Sequence, residues 1–189
     1  MTRTSWLYLL CEFGPLLAFF IAGQLTSFFT AVGVLMGTTL AAVIISWLAA
    51  RHIPWLPILS AVLVLAGGAV TLVYQAPDAI IVADTVYYIL LTIGFSYSLY
   101  HRVFILKRLF APVFAITDEG WQRLTRRWLW LVLLAAVANE IARASISPEL
   151  WIEYRFYKSI VILFFALWQF TLTRRYRIAA ESNAWGLRR

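Results

Sequence analysis

Charge is scarce in this sequence. Asp, Glu, Lys and Arg make up 13% of the 189 residues, whereas a soluble domain carries about 25%. With 62% hydrophobic residues there is too little polar surface to cover a globule in water. That balance excludes an ordinary soluble domain and predicts one integral membrane domain over residues 1–189. Cysteine is nearly absent too. Cys11 stands alone, which rules out an intrachain disulfide and leaves no cysteine-based metal pattern. Leu10 precedes it, where a lipid-attachment motif needs a small residue. The two histidines, His52 and His101, each sit beside an arginine at an expected membrane end. No HExxH, CxxC, GxSxG or P-loop pattern occurs. The sequence therefore predicts no catalytic residues, no metal and no cofactor, and an enzyme is the least supported class. Acidic residues are the rarer charge, 9 against 16 basic, for a net charge of +7. In a membrane chain such an excess collects in cytoplasmic loops, so no nucleic-acid partner is expected.

What is present in quantity is long apolar runs. A helix needs about 20 apolar residues to cross the hydrocarbon core. Segments 28–50, 56–76, 79–100, 128–146 and 156–173 meet that length. Pro54 and Pro57 delay the helical start of the second of these, and Asp84 interrupts the third. An earlier segment, 6–23, is short and contains Glu12 and Pro15. A secretory leader would read similarly, with Arg3 as its basic end, but a carboxylate inside its apolar stretch argues against it. The fold class is all-α, a polytopic transmembrane helical bundle with five to six membrane helices.

Arg51 and His52, the region 101–127 and the tail 174–189 are basic and fall on one side if the spans alternate. The opposite connections hold Asp78 and Glu149. The positive-inside rule then makes the basic loops and the C-terminus cytoplasmic. Within 101–127, "VFILKRLFAPVFAI" mixes bulky apolar side chains with Lys107 and Arg108. Such a segment suits the headgroup region, with a bend expected at Pro112. "TDEGWQRLTRRW" then reads as a helix start, with Thr117 as N-cap and Asp118 and Glu119 near the positive end of the dipole. Trp121, Leu124 and Trp128 share one face of it. Arg102, Lys107, Arg108, Arg123, Arg126 and Arg127 form a basic set that both fixes orientation and faces anionic lipid. Trp47, Trp55, Trp130, Trp151 and Trp168 read as interface anchors or packing residues.

Polarity inside the apolar runs is the remaining signal. "AVANEIARAS" places Asn139, Glu140 and Arg143 within five residues. A charge at the centre of a span costs about 2.5–3.5 kcal/mol on insertion scales, so such groups persist when paired, neutralised or near the surface. Glu140 and Arg143 stand on adjacent turns of one face. Glu12 is expected to join Asn139, Glu140 and Arg143 in an interhelical polar cluster, either as a structural clamp or as an ion, proton or headgroup site. In "GVLMG" the spacing of Gly33, Gly37 and Ala41 stacks small residues on one helix face, for packing within the chain or for a homo-oligomer. Gly67 and Gly68 are expected to serve close packing as well.

The order of motifs "EFGPLLAFF", "GGAVTL", "GWQRLTRRWLW" and "NEIARASISPELWIEYRF" resembles that of the YciB family of inner membrane-spanning proteins, also called intracellular septation protein A. The matching positions are Gly14, Pro15, Gly67, Gly68, Thr71, Gly120, Trp121, Leu124, Arg127, Trp128, Asn139, Glu140, Ser145, Trp151 and Phe156. The resemblance implies a bacterial inner-membrane protein linked to envelope integrity, membrane homeostasis and septation, and not an enzyme. One departure concerns "AIIVADTV", where the family commonly carries lysines and this chain has Val82 and Asp84. The expected partners are the lipid bilayer and other inner-membrane envelope or division proteins. The competing expectation is a small transporter or lipid-handling protein using Glu12, Asp84, Glu140 and Arg143.

Overall fold

A computed structural model describes the backbone of residues 3–50, 55–111 and 113–188, and the side chains of 14–48, 57–111 and 113–188. Expectations for Arg51, His52, Pro54 and Pro112 lie outside those residues. So do those for the side chains of Arg3, Cys11, Glu12 and Trp55.

The described chain is helical, with α1 Arg3–Leu25, α2 Phe28–Ala50, α3 Trp55–Tyr74, α4 Asp78–Tyr100, α5 Ile105–Phe110, α6 Asp118–Ser145, α7 Pro148–Trp168 and α8 Phe170–Arg175. Five stretches are long and apolar enough to cross a membrane: Phe28–Leu48, Pro57–Tyr74, Asp78–Tyr100, Asp118–Ser145 and Pro148–Arg175. The all-α polytopic fold expected from hydropathy is the fold observed.

Two expected boundaries change, each for a local reason. The span expected at 128–146 belongs to a helix that begins ten residues earlier. Thr117 caps it, its hydroxyl accepting from the Gly120 amide at 3.2 Å, with Asp118 and Glu119 in the first turn. The span expected at 156–173 begins at Pro148. Ser147 accepts from the Leu150 amide at 3.4 Å, proline takes the first helical position, where its missing N–H costs nothing, and Glu149 follows. Hydropathy stops at Arg155 because it reads that residue as a surface charge, while the helix carries it inward.

The chain groups into two compact units. The first comprises Met1–Tyr87 with Val137–Tyr157, the second Tyr88–Ala136 with Lys158–Arg189.

In the first unit α1 packs on α2 and α2 on α3. Its core gathers Phe19, Phe28, Val32, Leu35, Val64, Ile80, Ile81, Trp151 and Ile152. Gly67 and Gly68 are the points of closest approach. A methyl added at Gly67 would lie 2.6 Å from the Ala83 Cβ and 3.0 Å from the Ala79 carbonyl oxygen. One added at Gly68 would lie 2.5 Å from the Met36 sulfur. Gly33 and Gly37 do not share this role. Among the described residues nothing lies within 4 Å of a methyl built at either, and both are exposed with Ala41 on the outward face of α2. Within those residues the packing inside the chain expected at these two glycines is not seen. The helix is turned so that Ala31, Val32 and Leu35 face the core instead.

In the second unit the basic tail is not a separate appendage. Residues 176–188 fold back on 113–117 through backbone bonds: Thr117 N–H to the Tyr176 carbonyl, Ile178 N–H to Ala115, Ala115 N–H to Gly186, and Arg188 N–H to Val113, all at 2.8–2.9 Å. Gly186 has φ +80°, and a methyl there would stand 2.7 Å from the Thr173 carbonyl oxygen, so the turn needs glycine. α7 and α8 are separated only by Gln169. Its side-chain amide donates to the Phe165 carbonyl at 3.0 Å, competing with the helix's own ladder.

Candidate functional site: an intramembrane polar network

The polar cluster is assembled in the first unit where α4 begins, α6 ends and α7 begins. Asn139 is completely buried. Its amide group donates to the Ile81 carbonyl at 3.0 Å and to the Thr85 hydroxyl oxygen at 2.9 Å. Its carbonyl oxygen accepts from the Trp151 indole N–H at 3.0 Å. The Thr85 hydroxyl in turn donates a hydrogen bond to Glu140 Oε1 at 2.6 Å. Arg143 Nε donates to Glu140 Oε2 at 2.8 Å, and an Arg143 Nη lies 3.9 Å from Asp78 Oδ2. The chain runs Trp151, Asn139, Thr85, Glu140, Arg143, Asp78 without a break. Both amide protons and the amide oxygen of Asn139 are used, so that side chain is satisfied.

Position explains why the bilayer tolerates the group. Asn139 lies six residues from the end of α6, about 9 Å along the axis, and so well off the midplane of a hydrocarbon layer about 30 Å thick. Arg143 is nearer the end still. The polarity therefore begins buried at Asn139 and reaches the surface at Asp78, whose side chain is 70% exposed.

A second pair lies deeper in the protein. An Arg155 Nη stands 3.4 Å from Asp84 Oδ1, with only 13% and 8% of the two side chains exposed. The guanidinium also lies over the rings of Trp151 at 5.3 Å and Phe19 at 5.6 Å. Trp151 thus joins both groups, through its N–H and through its face.

Of the residues expected in the cluster, Asn139, Glu140 and Arg143 are brought together. The Glu12 side chain lies outside the described residues. Thr85, Asp78 and Arg155 are members that sequence reasoning missed. Thr85 carried a signal, since Ile81 and Thr85 are four apart and share the α4 face that meets Asn139. Trp151 was expected at an interface or in packing. It is fully buried and hydrogen-bonded, and so is a core residue, whereas Trp47, Trp130 and Trp168 are more than half exposed.

The basic set divides in two. Lys107 pairs with Asp118, and Arg123 with Glu119 at 2.9 Å. Arg102, at φ +55°, Arg108 and Arg126 are exposed. Arg127 is half-buried, donates to Gln169 Oε1 at 3.3 Å and stacks over Trp168 at 4.4 Å. Among the described residues no group of three His, Cys, Asp or Glu side chains converges.

Residues 7–179 match the family described as intracellular septation protein A. The chain is 36% identical over 169 residues to the inner membrane-spanning protein YciB of Afipia carboxidovorans, an alignment covering 89% of this chain and 84% of that protein. It is 32% identical to the YciB of Nitrobacter hamburgensis, covering 88% and 84%. With the YciB of Rhizobium meliloti identity is 30%, covering 93% and 91%. No solved structure matches. With five membrane-length apolar helices among its described residues and these relatives, the chain belongs to the intracellular septation protein A family and is a multi-pass protein of the inner membrane.

Proposed function

We propose that the protein supports cell envelope biogenesis, membrane integrity and septation without catalysing a reaction, by contacts with other proteins inside the membrane. The observation that carries this reading is the outward face of α2. Gly33, Gly37 and Ala41 form an exposed small-residue stripe, with no neighbour at either glycine among the described residues. Small residues let a second backbone approach closely, and in lipid such packing drives helix association. In the same unit the chain uses Gly67 and Gly68 for this purpose internally, so its glycines are not merely tolerated by the bilayer. The partner is a transmembrane helix of an envelope or division protein. The C-terminus and the basic loop face the cytoplasm on this reading, where their excess of arginine is expected.

The polar network supports the same reading from the other side. Its side chains satisfy one another, as a clamp requires. Water reaches Glu140, whose side chain is 40% exposed, but Asn139 behind it is wholly enclosed, which gives no continuous route through the network.

Photo-crosslinking residues at Leu40 and Ile44, which flank the stripe and are half exposed, test the proposal in dividing cells. Capture of septal or wall-synthesis membrane proteins is expected, with Phe164 on α7 as the lipid-facing control. Capture of lipid alone, or of a second copy alone, overturns it.

A further inference from the structure

The second unit contains a narrow groove of about 200 Å³, almost wholly apolar. Leu106 and Phe110 of α5 and Leu124 and Trp128 of α6 form its walls, each pair one helical turn apart. Phe170 and Gln169 close it from α8 and the break before it. Whole small-molecule sites measure about 300–1,000 Å³, so this groove admits a segment of chain and not a compact ligand.

Arg127 stands at its edge, tied to the groove-lining Gln169. A half-buried guanidinium normally finds a carboxylate. Arg127 has a neutral amide oxygen and an indole face instead, and among the described residues no carboxylate lies within 4 Å of it. The unit has none to spare. Its three acidic residues, Asp118, Glu119 and Glu181, already hold Lys107, Arg123 and Arg188. Among the described residues one Nη of Arg127 meets a protein acceptor, which leaves further N–H groups in the planar fork that suits phosphate.

Depth agrees with this chemistry. α7 has 21 residues, about 31 Å, so it spans one hydrocarbon thickness and ends at Trp168. Counted back from Ser145, 20 residues of α6 reach Arg126. Both counts put Arg127 and Trp168 at the boundary between headgroups and acyl chains.

We propose that the groove and Arg127 form a binding site for an anionic phospholipid, with one acyl chain lying along Leu106, Phe110 and Trp128 and the phosphate on the guanidinium. Acyl chains gain no hydrophobic energy by leaving other lipid, so the groove supplies position and the charge supplies choice. A nearby cleft of about 300 Å³ makes the contrast. Lys107, Asp118, Glu181 and Arg188 line it, and they already neutralise one another in pairs. The site stands independently of the partner-binding face on α2.

The test is native mass spectrometry of the purified full-length protein in detergent, with equimolar phosphatidylglycerol and phosphatidylcholine of identical chains. The wild type should retain the anionic lipid over the zwitterionic one, with Arg127 contributing about a fivefold preference, that of one uncompensated arginine near the surface. Arg127→Gln should lower the ratio about fivefold, while Arg188→Gln should leave it unchanged. Ala166→Leu, which fills the groove, should lower retention of both lipids. Equal retention of the two lipids by the wild type overturns the proposal, as does an unchanged ratio in Arg127→Gln. If Arg127→Gln fails to fold, wild-type competition with glycerol phosphate decides. A headgroup without chains should displace the lipid poorly, and equal competition shows that the groove is not used.

Discussion

The two compact units treat charge in opposite ways. By sequence the first holds four Lys and Arg against six Asp and Glu, and the second holds twelve against three. In the first, the charges inside the helices have been drawn together: Asp84 with Arg155, Glu140 with Arg143 and Asp78. In the second, three carboxylates are matched and the arginines still outnumber them. The same residue type therefore does different work. Arg155 holds helices together, whereas Arg126 faces outward and has surroundings outside the protein to neutralise it. If this division is right, removing charge from the first unit lowers stability, and removing it from the second changes lipid affinity while leaving stability alone.

The largest effect is expected for Arg155→Met. It removes the guanidinium from a nearly buried carboxylate and from two aromatic faces. Breaking a buried pair costs about 3 kcal/mol or more. The purified protein should unfold at clearly lower denaturant or temperature, followed through tryptophan fluorescence. Wild-type stability in this variant would show that the pair is incidental and would remove half of the contrast.

Asn139→Leu comes next, at about 2 kcal/mol. The substitution keeps the branched shape and the number of heavy atoms but breaks the bonds to Ile81, Thr85 and Trp151. The Trp151 indole should report it directly by a shifted emission maximum. Glu140→Ala belongs to the same series with a smaller loss, about 1 kcal/mol, because its carboxylate is 40% exposed and solvent screens the pair with Arg143. Normal accumulation of Glu140→Ala with selective loss of a solute flux would point to transport instead.

A third experiment crosses the boundary between the units. Arg108→Gln with Arg126→Gln should leave the unfolding midpoint where it is, since neither side chain has a carboxylate partner among the described residues. Recruitment of anionic lipid to the detergent-purified protein should weaken by about 1 kcal/mol per arginine and lose its salt dependence in proportion. A drop in stability with no change in lipid recruitment would erase the distinction between the two kinds of charge.

The sequence made some of this legible and hid the rest, for reasons visible at single residues. Hydropathy located the helices because apolar runs of about 20 residues have few other uses. Asn139, Glu140 and Arg143 stood out because polarity is conspicuous on an apolar background. Arg155 did not, because it sits at the edge of its apolar run and its partner is 71 residues away, so no local spacing announces the pair. Trp151 was ambiguous on its own, since membrane tryptophans occur both at interfaces and in cores, and only the Asn139 acceptor distinguishes them. The fold-back of the tail on 113–117 rests on backbone bonds, which side-chain patterns do not encode. Gly33 and Gly37 carried a recognisable spacing but not its direction. A small-residue stripe reads the same whether it faces its own chain or another.

That last ambiguity yields the smallest expected effect and the most discriminating result. Gly67→Val should lower stability, because the added carbon atoms enter the space of Ala83 and the Ala79 carbonyl. A Cβ added at Gly33 or Gly37 meets nothing within 4 Å among the described residues and both positions are exposed, so Gly33→Leu and Gly37→Leu should each move the unfolding midpoint by less than about 0.5 kcal/mol. If the two α2 variants fold and accumulate normally yet lose the crosslinks formed from Leu40 and Ile44, the stripe is a contact surface for another helix. If they keep every crosslink, bulk at these positions obstructs nothing, and the proposed partner does not dock there. If they unfold the purified protein, α2 is packed against its own chain after all, and the orientation assigned to its small residues is wrong.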